Sequence, residues 1–463
     1  LFREDFLREQ ALINSVVVRI AERQALNYNY FTESIQMLDS FQSKVFWYDQ
    51  QKPSEATPLR SEIQVEVVIV GGGMAGLSCA QRLSGAGISV AVVEKEFCGS
   101  GASGKSSGFL TPASEIELRS LISSHGKREA RRIWDFVVSG VEVIRQTILE
   151  HGFACDYQVQ DSLYVGNDAS GWRSAQAEHR ARLQLGFESQ LYHSNEISNA
   201  LGTSGYSGAV RYGGTFAINS YAYCQALSSF LKSRDVKIFE SSPVIRLREN
   251  GVDTAQGAVR ARQVVVCADR FIPELGALRK VIYHVQTFLG ISKTLSDEQL
   301  AKVFPYSPVM TWDSDLVYNY FRATGENRLL VGGSDLLYTY ARSPEENMKR
   351  RASRMTSYFR RKFPGVPLKL EYVWPGMLGV SKDLLPVMGS DSIRSTIWYA
   401  GAAAGLPWAA ALGRYAADRI LSGRNEFDDV FSYQRKFVIG PRLQALLSTP
   451  LTYGISHGIE KFS

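Results

Sequence analysis

The sequence predicts an α/β protein: a Rossmann-type domain with a parallel sheet, joined to a second domain of mixed-sheet α+β character. Three observations predict the first domain. Val65-Glu66-Val67-Val68-Ile69-Val70 is a short β-branched run of the kind found in buried parallel strands. Gly71-Gly72-Gly73-Met74-Ala75-Gly76 follows at once and opens a helical stretch through Leu77, Ala80 and Leu83. Gly85 and Gly87 stop that helix, and Ser89-Val90-Ala91-Val92-Val93-Glu94 supplies a second strand, completing a β-α-β unit of about 30 residues.

The other elements follow in chain order. Residues 1–60 read as an N-terminal arm, amphipathic and helical up to about Phe46 (apolar at Phe6, Leu7, Leu12, Ile13, Val16, Val17 and Ile20), then an irregular connector through Phe46-Trp47-Tyr48 and Pro53. Residues 115–150 look helical, and short strands alternate with turns to about 215. A helix is expected over Tyr221–Ser233, then strands at 236–239, 244–247 and 264–268. Further strands are expected at 281–291 and 328–331, with a helical segment at Pro344–Phe363. The last third returns to a strand-glycine-helix pattern over Trp398–Ile420, followed by a helical tail over 426–463.

Composition narrows the function classes. A chain of 463 residues is too long for one core and suggests two to three structural units. The formal charge of +6 is mild, and the clusters Lys349-Arg350-Arg351 and Arg360-Arg361-Lys362 read as solvated helix faces. No nucleic-acid partner and no membrane contact are therefore expected. Five dispersed cysteines without Cys-x-x-Cys spacing argue against a disulfide framework or a zinc site and favour a reducing, cytoplasmic setting. Six histidines form no ligand pair at helical spacing, so no metal is expected.

The glycine segment carries the chemistry. Gly71 permits the tight turn, Gly73 lets backbone approach a pyrophosphate, and Gly76 lets helix and strand pack closely. The helix N-terminus offers unpaired N–H groups and about half a positive charge to a diphosphate. Glu94 ends the second strand where a carboxylate accepts both ribose hydroxyls of a dinucleotide. The next segment, Cys98-Gly99-Ser100-Gly101-Ala102-Ser103-Gly104-Lys105-Ser106-Ser107-Gly108-Phe109-Leu110, is a loop of small residues where a nicotinamide enzyme would enter a helix. Such a loop can press backbone against a flat ring.

At this point the sequence resembles the D-amino-acid-oxidase-like flavoproteins, and within them the gamma-glutamylputrescine oxidoreductase-like branch. The resemblance continues through Val244, the strand Val264–Ala268, Tyr320-Phe321-Arg322 and Arg328–Gly333. It extends through Trp374-Pro375-Gly376, Lys382–Gly389 and Tyr399–Leu406. It implies FAD as cofactor, held by Gly71, Gly73, Met74, Ala75 and Gly76, then Glu94 and Lys95. Ala102, Ser103, Ser106, Ser107, Gly108, Phe109 and Leu110 would lie along the flavin, with Val244, Gly376, Gly401, Ala404, Gly405 and Leu406 completing the site. The FAD-binding domain is expected from 61–115, 215–275 and 371–425, and the substrate domain from 116–214 and 276–370.

The departures from that family bear on substrate. Leu378 stands where glycine and D-amino-acid oxidases carry a carboxylate-binding arginine. Leu329 and Leu330 stand where the sarcosine-oxidase branch has a lysine linked to dioxygen reactivity. The expected reaction is oxidation of a small-molecule amine at the carbon beside nitrogen, with hydride passing to flavin N5 and the imine product then hydrolysed. Dioxygen or another acceptor would regenerate the flavin. Alternatives are a dehydrogenase of a 2-hydroxy acid or similar alcohol, and an FAD-binding subunit without turnover. Candidate catalytic residues are Arg322, as a substrate or flavin contact or a buried structural ion pair, Lys382 and Trp374. Lys105 and Lys382 could place positive charge near the flavin N1–C2=O edge. Tyr318, Tyr320, Trp374, Met377 and Trp408 are candidate pocket walls, and each also suits a structural role; His284 reads as a core histidine.

Overall fold

A computed structural model describes residues 41–113, 115–315, 317–333, 337–338 and 347–437. The β-α-β unit forms as Val67–Val70, Met74–Ser84 and Val90–Val93, and both strands are buried along their whole length. A strand covered on both faces must be apolar at every position, which explains the unbroken β-branched runs. Each such side chain contributes roughly 1.5–3 kcal/mol on full burial.

The sheet built on this unit has six strands in the order Lys237–Phe239, Val90–Val93, Val67–Val70, Gln263–Val266, Ile397–Gly401 and Val387–Ser390. The first five are parallel, and the last pairs antiparallel. Helix Met74–Ser84 packs on Leu406–Ser422, which packs in turn on the long segment Leu118–His151, bent at Gly126. Glu62–Gln64, Ala258–Arg260, Gly251–Thr254 and Val244–Arg248 make a separate four-stranded sheet.

The second large sheet has nine strands and mixed polarity. Val309–Asp313 runs parallel to Asp161–Gly166, whereas Tyr320–Ala323, Leu329–Gly332 and Gly208–Tyr212 join antiparallel. A three-stranded patch, Phe109–Leu110, Phe216–Ala217 and Gln158–Val159, ties the small-residue loop to both regions. Among the described residues no helix is long and apolar enough to cross a membrane.

Two expectations are revised. Leu370–Val380 does not extend the cofactor sheet, as the boundary at 371 would have it. It pairs antiparallel with Tyr283–Ser292, from Tyr283 opposite Val380 to Ser292 opposite Leu370, and so belongs to the nine-stranded sheet. Phe46–Gln50, read as irregular, is a short helix with Phe46 and Trp47 buried against Tyr372 and Trp374. Burying these rings ties the segment down where local propensity alone would not. The helical arm expected up to about Phe46 lies outside the described residues except for 41–45, which are not helical. Most of the C-terminal tail and the start of the segment at 344 also lie outside them. Within the tail, Asp428–Phe431 forms one helical turn.

Candidate active site

The cradle starts at the glycine turn. Gly71 has φ +108°, and a Cβ there would stand 2.6 Å from the Cys267 carbonyl oxygen. A Cβ on Gly76 would stand 1.9 Å from the Gly71 carbonyl oxygen, so only hydrogen lets helix and strand meet. Glu94 Oε2 accepts from the Gly72 N–H at 2.7 Å and Oε1 from the Glu96 N–H at 3.0 Å. These bonds fix the carboxylate at the end of its strand and leave lone pairs on both oxygens. Burial pushes its pKa up, against the pull of those two backbone donors.

A cavity of about 310 Å³ runs from this turn. Gly71, Gly73, Met74 and Ala75 line it with Glu94 and Lys95, and Ala102, Ser103, Val244 and Gly401 line it further along. Phe271 lies between two cations, with Lys95 Nζ and Arg270 Cζ each 3.8 Å from its ring centroid. Arg270 Nη1 is buried without a hydrogen-bond partner among the described residues, a donor suited to an anionic ligand.

The small-residue loop is gripped by its carbonyls. Trp374 Nε1 donates to Lys105 O at 3.1 Å, Trp47 Nε1 to Ser106 O at 3.2 Å, and Arg322 Nε to Ser107 O at 2.7 Å. Three consecutive carbonyls are thus held by three residues from three distant parts of the chain. Tyr48 Oη lies 3.0 Å from both Gly99 O and Ser100 O at the loop's start. Ser103 Oγ accepts from the Met74 N–H at 2.9 Å, which joins the loop to the N-terminus of the glycine-turn helix.

A second cavity, of about 190 Å³, opens beyond the loop and shares Ala102, Ser103, Lys105, Asp269, Met377 and Ala403 with the first. Ser106, Ser107 and Phe109 line its loop side, and Gly376, Leu378, Gly405 and Leu406 line the opposite approach. Trp312, Tyr318 and Tyr320 set aromatic rings in its remaining wall among aliphatic residues such as Val285, Leu289, Val380 and Leu384. Burial raises the pKa of both tyrosine hydroxyls, so they remain protonated donors. Asp269 borders both cavities from a left-handed backbone position, φ +46°. Its carboxylate accepts from the Gly379 N–H at 2.7 Å and the Ala402 N–H at 3.1 Å, joining the two sheets at the seam.

The structure brings many of the sequence-predicted residues to these two cavities, but not all. Gly76, Gly108, Leu110 and Ala404 line neither cavity. Arg322 is fully buried, with Nη1 on Ala323 O at 2.9 Å and Nη2 on Ile218 O at 2.8 Å besides its bond to Ser107. All its described bonds are to backbone carbonyls, which replaces the alternatives of substrate contact and ion pair with a loop-positioning role. Burial lowers its pKa to about 10, still far above neutrality, so it stays charged. Trp374 likewise acts through Lys105 O. Lys382 is buried away from both cavities, its Nζ 5.0 Å from the Phe437 ring centroid. Of the candidate walls, Tyr318, Tyr320 and Met377 line the second cavity, whereas Trp374 and Trp408 do not. His284 Nε2 donates to Arg270 O at 2.8 Å.

Sequence reasoning missed Trp47, Glu115, Asp269, Arg270 and Trp312. Asp269 and Arg270 follow the apolar run Val264–Ala268, at the end of a strand that faces ligands in open parallel sheets, so that signal was available. Trp47 carries no local signal.

The two joined cavities fit FAD. Glycines stand where a Cβ would close the turn, a buried arginine N–H suits an anion, and the gripped loop lies along both the channel from that turn and the second cavity. Residues 66–419 match the family described as FAD dependent oxidoreductase. The probable oxidoreductase OrdL of Haemophilus influenzae is 24% identical over 430 residues, covering 90% of this chain and 97% of that protein. The gamma-glutamylputrescine oxidoreductase of Escherichia coli is 25% identical over 340 residues, covering 72% of this chain and 78% of that protein. The crystal structure of glycine oxidase from Geobacillus kaustophilus has the same fold, with a TM-score of 0.70 and 19% identity over 81% of this chain and 100% of that one. The chain therefore belongs to the FAD-dependent oxidoreductase family, with FAD as its cofactor.

Proposed function

We propose that the protein oxidises the C–N bond of a small-molecule amine that lacks a free α-carboxylate. The observation that carries this reading is Leu378 in the wall of the second cavity, with no arginine among the described lining residues. A substrate carboxylate there would lose its water without gaining a bidentate partner, at a cost of several kcal/mol. The largely apolar cavity instead suits an amine. Desolvation disfavours an ammonium and so promotes the neutral form, whose nitrogen lone pair assists loss of hydride from the adjacent carbon.

Bound FAD supplies the two-electron acceptor. The protein's part is to hold the substrate carbon beside the gripped loop, to exclude water through Phe109, Trp312, Tyr318 and Tyr320, and to keep Lys105 near the junction of the two cavities. Burial lowers the Lys105 pKa, against the opposing charge of Glu96. The amine leaves as an imine, which water hydrolyses to a carbonyl compound and the released amine. Dioxygen or another small acceptor completes turnover.

Anaerobic mixing of the FAD-loaded protein with amines, α-amino acids and 2-hydroxy acids tests the proposal. Bleaching of the flavin absorbance by amines lacking a carboxylate is expected. Efficient bleaching by glycine, sarcosine or D-amino acids, or by hydroxy acids alone, would overturn it.

A further inference from the structure

We propose that residues 42–50 form a latch whose docking is linked to FAD: it braces the small-residue loop, lets go when the cofactor leaves, and weakens cofactor binding when it is itself removed. This rests on the FAD site and not on the amine reading, so either can fail without the other.

The latch touches the loop at two places. Tyr48 Oη lies 3.0 Å from both Gly99 O and Ser100 O, with its ring 4.7 Å from that of Tyr221 and 5.2 Å from that of Phe97. Trp47 Nε1 donates to Ser106 O at 3.2 Å. Between these anchors lie Ala102, Ser103 and Lys105, the loop residues that line both cavities. Phe46, Trp47 and Tyr48 line neither. The loop therefore stands between the latch and the cavities.

The other anchors are local. The Gln42 N–H donates to Glu371 O at 2.8 Å and Gln42 O accepts from the Val373 N–H at 3.0 Å. Tyr372 Oη donates to Asp49 Oδ2 at 2.9 Å, and Gln50 Nε2 to Glu326 Oε1 at 2.8 Å. Phe46 and Trp47 are buried in a small cluster with Leu330, Tyr372 and Trp374, apart from the larger cores. Lifting the latch would open that cluster and leave the cofactor sheet packed. After Gln50 the chain runs through exposed residues 51–55, which form neither helix nor strand. It is fixed again where Thr57 O accepts from the Glu240 N–H at 3.1 Å and the Leu59 N–H donates to Ser242 Oγ at 2.8 Å. A segment with its own small cluster and an exposed linker behind it opens as a unit.

Ordering a loop of small residues costs conformational entropy. A ligand that orders the loop removes that cost for the latch, and the docked latch removes it for the ligand. The linkage is reciprocal, and such couplings commonly amount to about 5- to 150-fold.

The test places a thrombin site between Ser54 and Glu55 of the full chain. After cleavage of the FAD-loaded protein, the N-terminal fragment should co-elute with the yellow remainder on gel filtration. It should separate once acidic potassium bromide strips the FAD. Fluorescence titration with FAD should then give a dissociation constant about tenfold or more higher for the remainder alone. A synthetic peptide of residues 41–54 should restore the affinity, and the same peptide carrying Trp47→Ala should not. Hydrogen exchange on the uncut chain covers a remainder that fails to stay folded. Removing FAD should speed exchange about tenfold or more at the Gln51 and Val373 amides, which donate to Trp47 O and Gln42 O. The buried strand Asp161–Gly166 should not change. Fragment retention that ignores FAD, or an FAD affinity unaffected by loss of the fragment, would overturn the inference. So would exchange at the two amides that is unmoved by FAD, or that rises equally in Asp161–Gly166.

Discussion

Arg322 Nε donates to the carbonyl oxygen of Ser107 at 2.7 Å, joining the nine-stranded sheet to the loop that separates the two cavities. The bond is one of a row, with Trp47 on Ser106 and Trp374 on Lys105. A loop of small residues has little packing of its own, so its position must be imposed from outside.

Arg322→Met should therefore leave the carbonyls of Ser107, Ala323 and Ile218 without these donors in a dry interior. Such a loss costs roughly 1–3 kcal/mol for each buried group left unsatisfied. Chemical denaturation should show a destabilisation of about 3 kcal/mol or more, and the purified protein should carry less FAD. An unchanged midpoint with full FAD content would contradict this role.

Trp47→Phe removes one donor and keeps most of the ring. About 1 kcal/mol of stability is at stake, and the larger effect should fall on FAD, whose dissociation constant should rise roughly fivefold to tenfold. Fluorescence titration of apoprotein with FAD measures it.

Gly76→Ala should abolish FAD binding, because its Cβ would enter the Gly71 carbonyl at 1.9 Å. The obstructing atom is a backbone carbonyl oxygen, which cannot swing aside as a flexible side chain would. The expected product is colourless or insoluble protein, and a yellow, stable variant would refute the packing described here.

Glu94→Gln keeps the size of the side chain but replaces one acceptor oxygen by a donor. One of the bonds from Gly72 and Glu96 is then lost or weakened, as is one ribose contact. FAD affinity should fall by about 10- to 100-fold, corresponding to 1.4–2.7 kcal/mol.

Asp391 provides a prediction in pH. Burial pushes its pKa up, but the N–H groups of Arg394 and Ile393, the Tyr399 hydroxyl and the Arg394 guanidinium outweigh this and hold it well below the usual range. A carboxyl whose folded pKa is depressed contributes stability above its unfolded pKa of about 3.9 and loses it as pH falls toward the folded value. Asp391→Asn should therefore destabilise by about 2 kcal/mol at pH 7. The gap from the parent protein should narrow below about pH 4, as followed by urea denaturation across pH.

Much of the cofactor domain was legible because its determinants are local. The glycine turn, the β-branched strands and the acidic strand end are each set by what a few consecutive residues can do sterically. Leu370–Val380 was misplaced for the opposite reason. Its partner strand, Tyr283–Ser292, lies some 90 residues away, and a strand's own pattern does not say which sheet it will join. Arg322, Lys382 and Trp374 look alike in sequence as polar or aromatic groups near family motifs, yet each turns to backbone or core in three dimensions.

The sequence by itself determined that a dinucleotide turn forms at residues 71–76, that a small-residue loop follows it, and that no arginine occupies position 378. Only the tertiary structure decided that Trp47, Trp374 and Arg322 converge on consecutive carbonyls of that loop, and that Asp269 ties the two sheets together beside both cavities. Turn geometry is encoded in neighbouring φ and ψ preferences, whereas the meeting of residues from distant segments depends on how whole sheets pack, which no local stretch specifies.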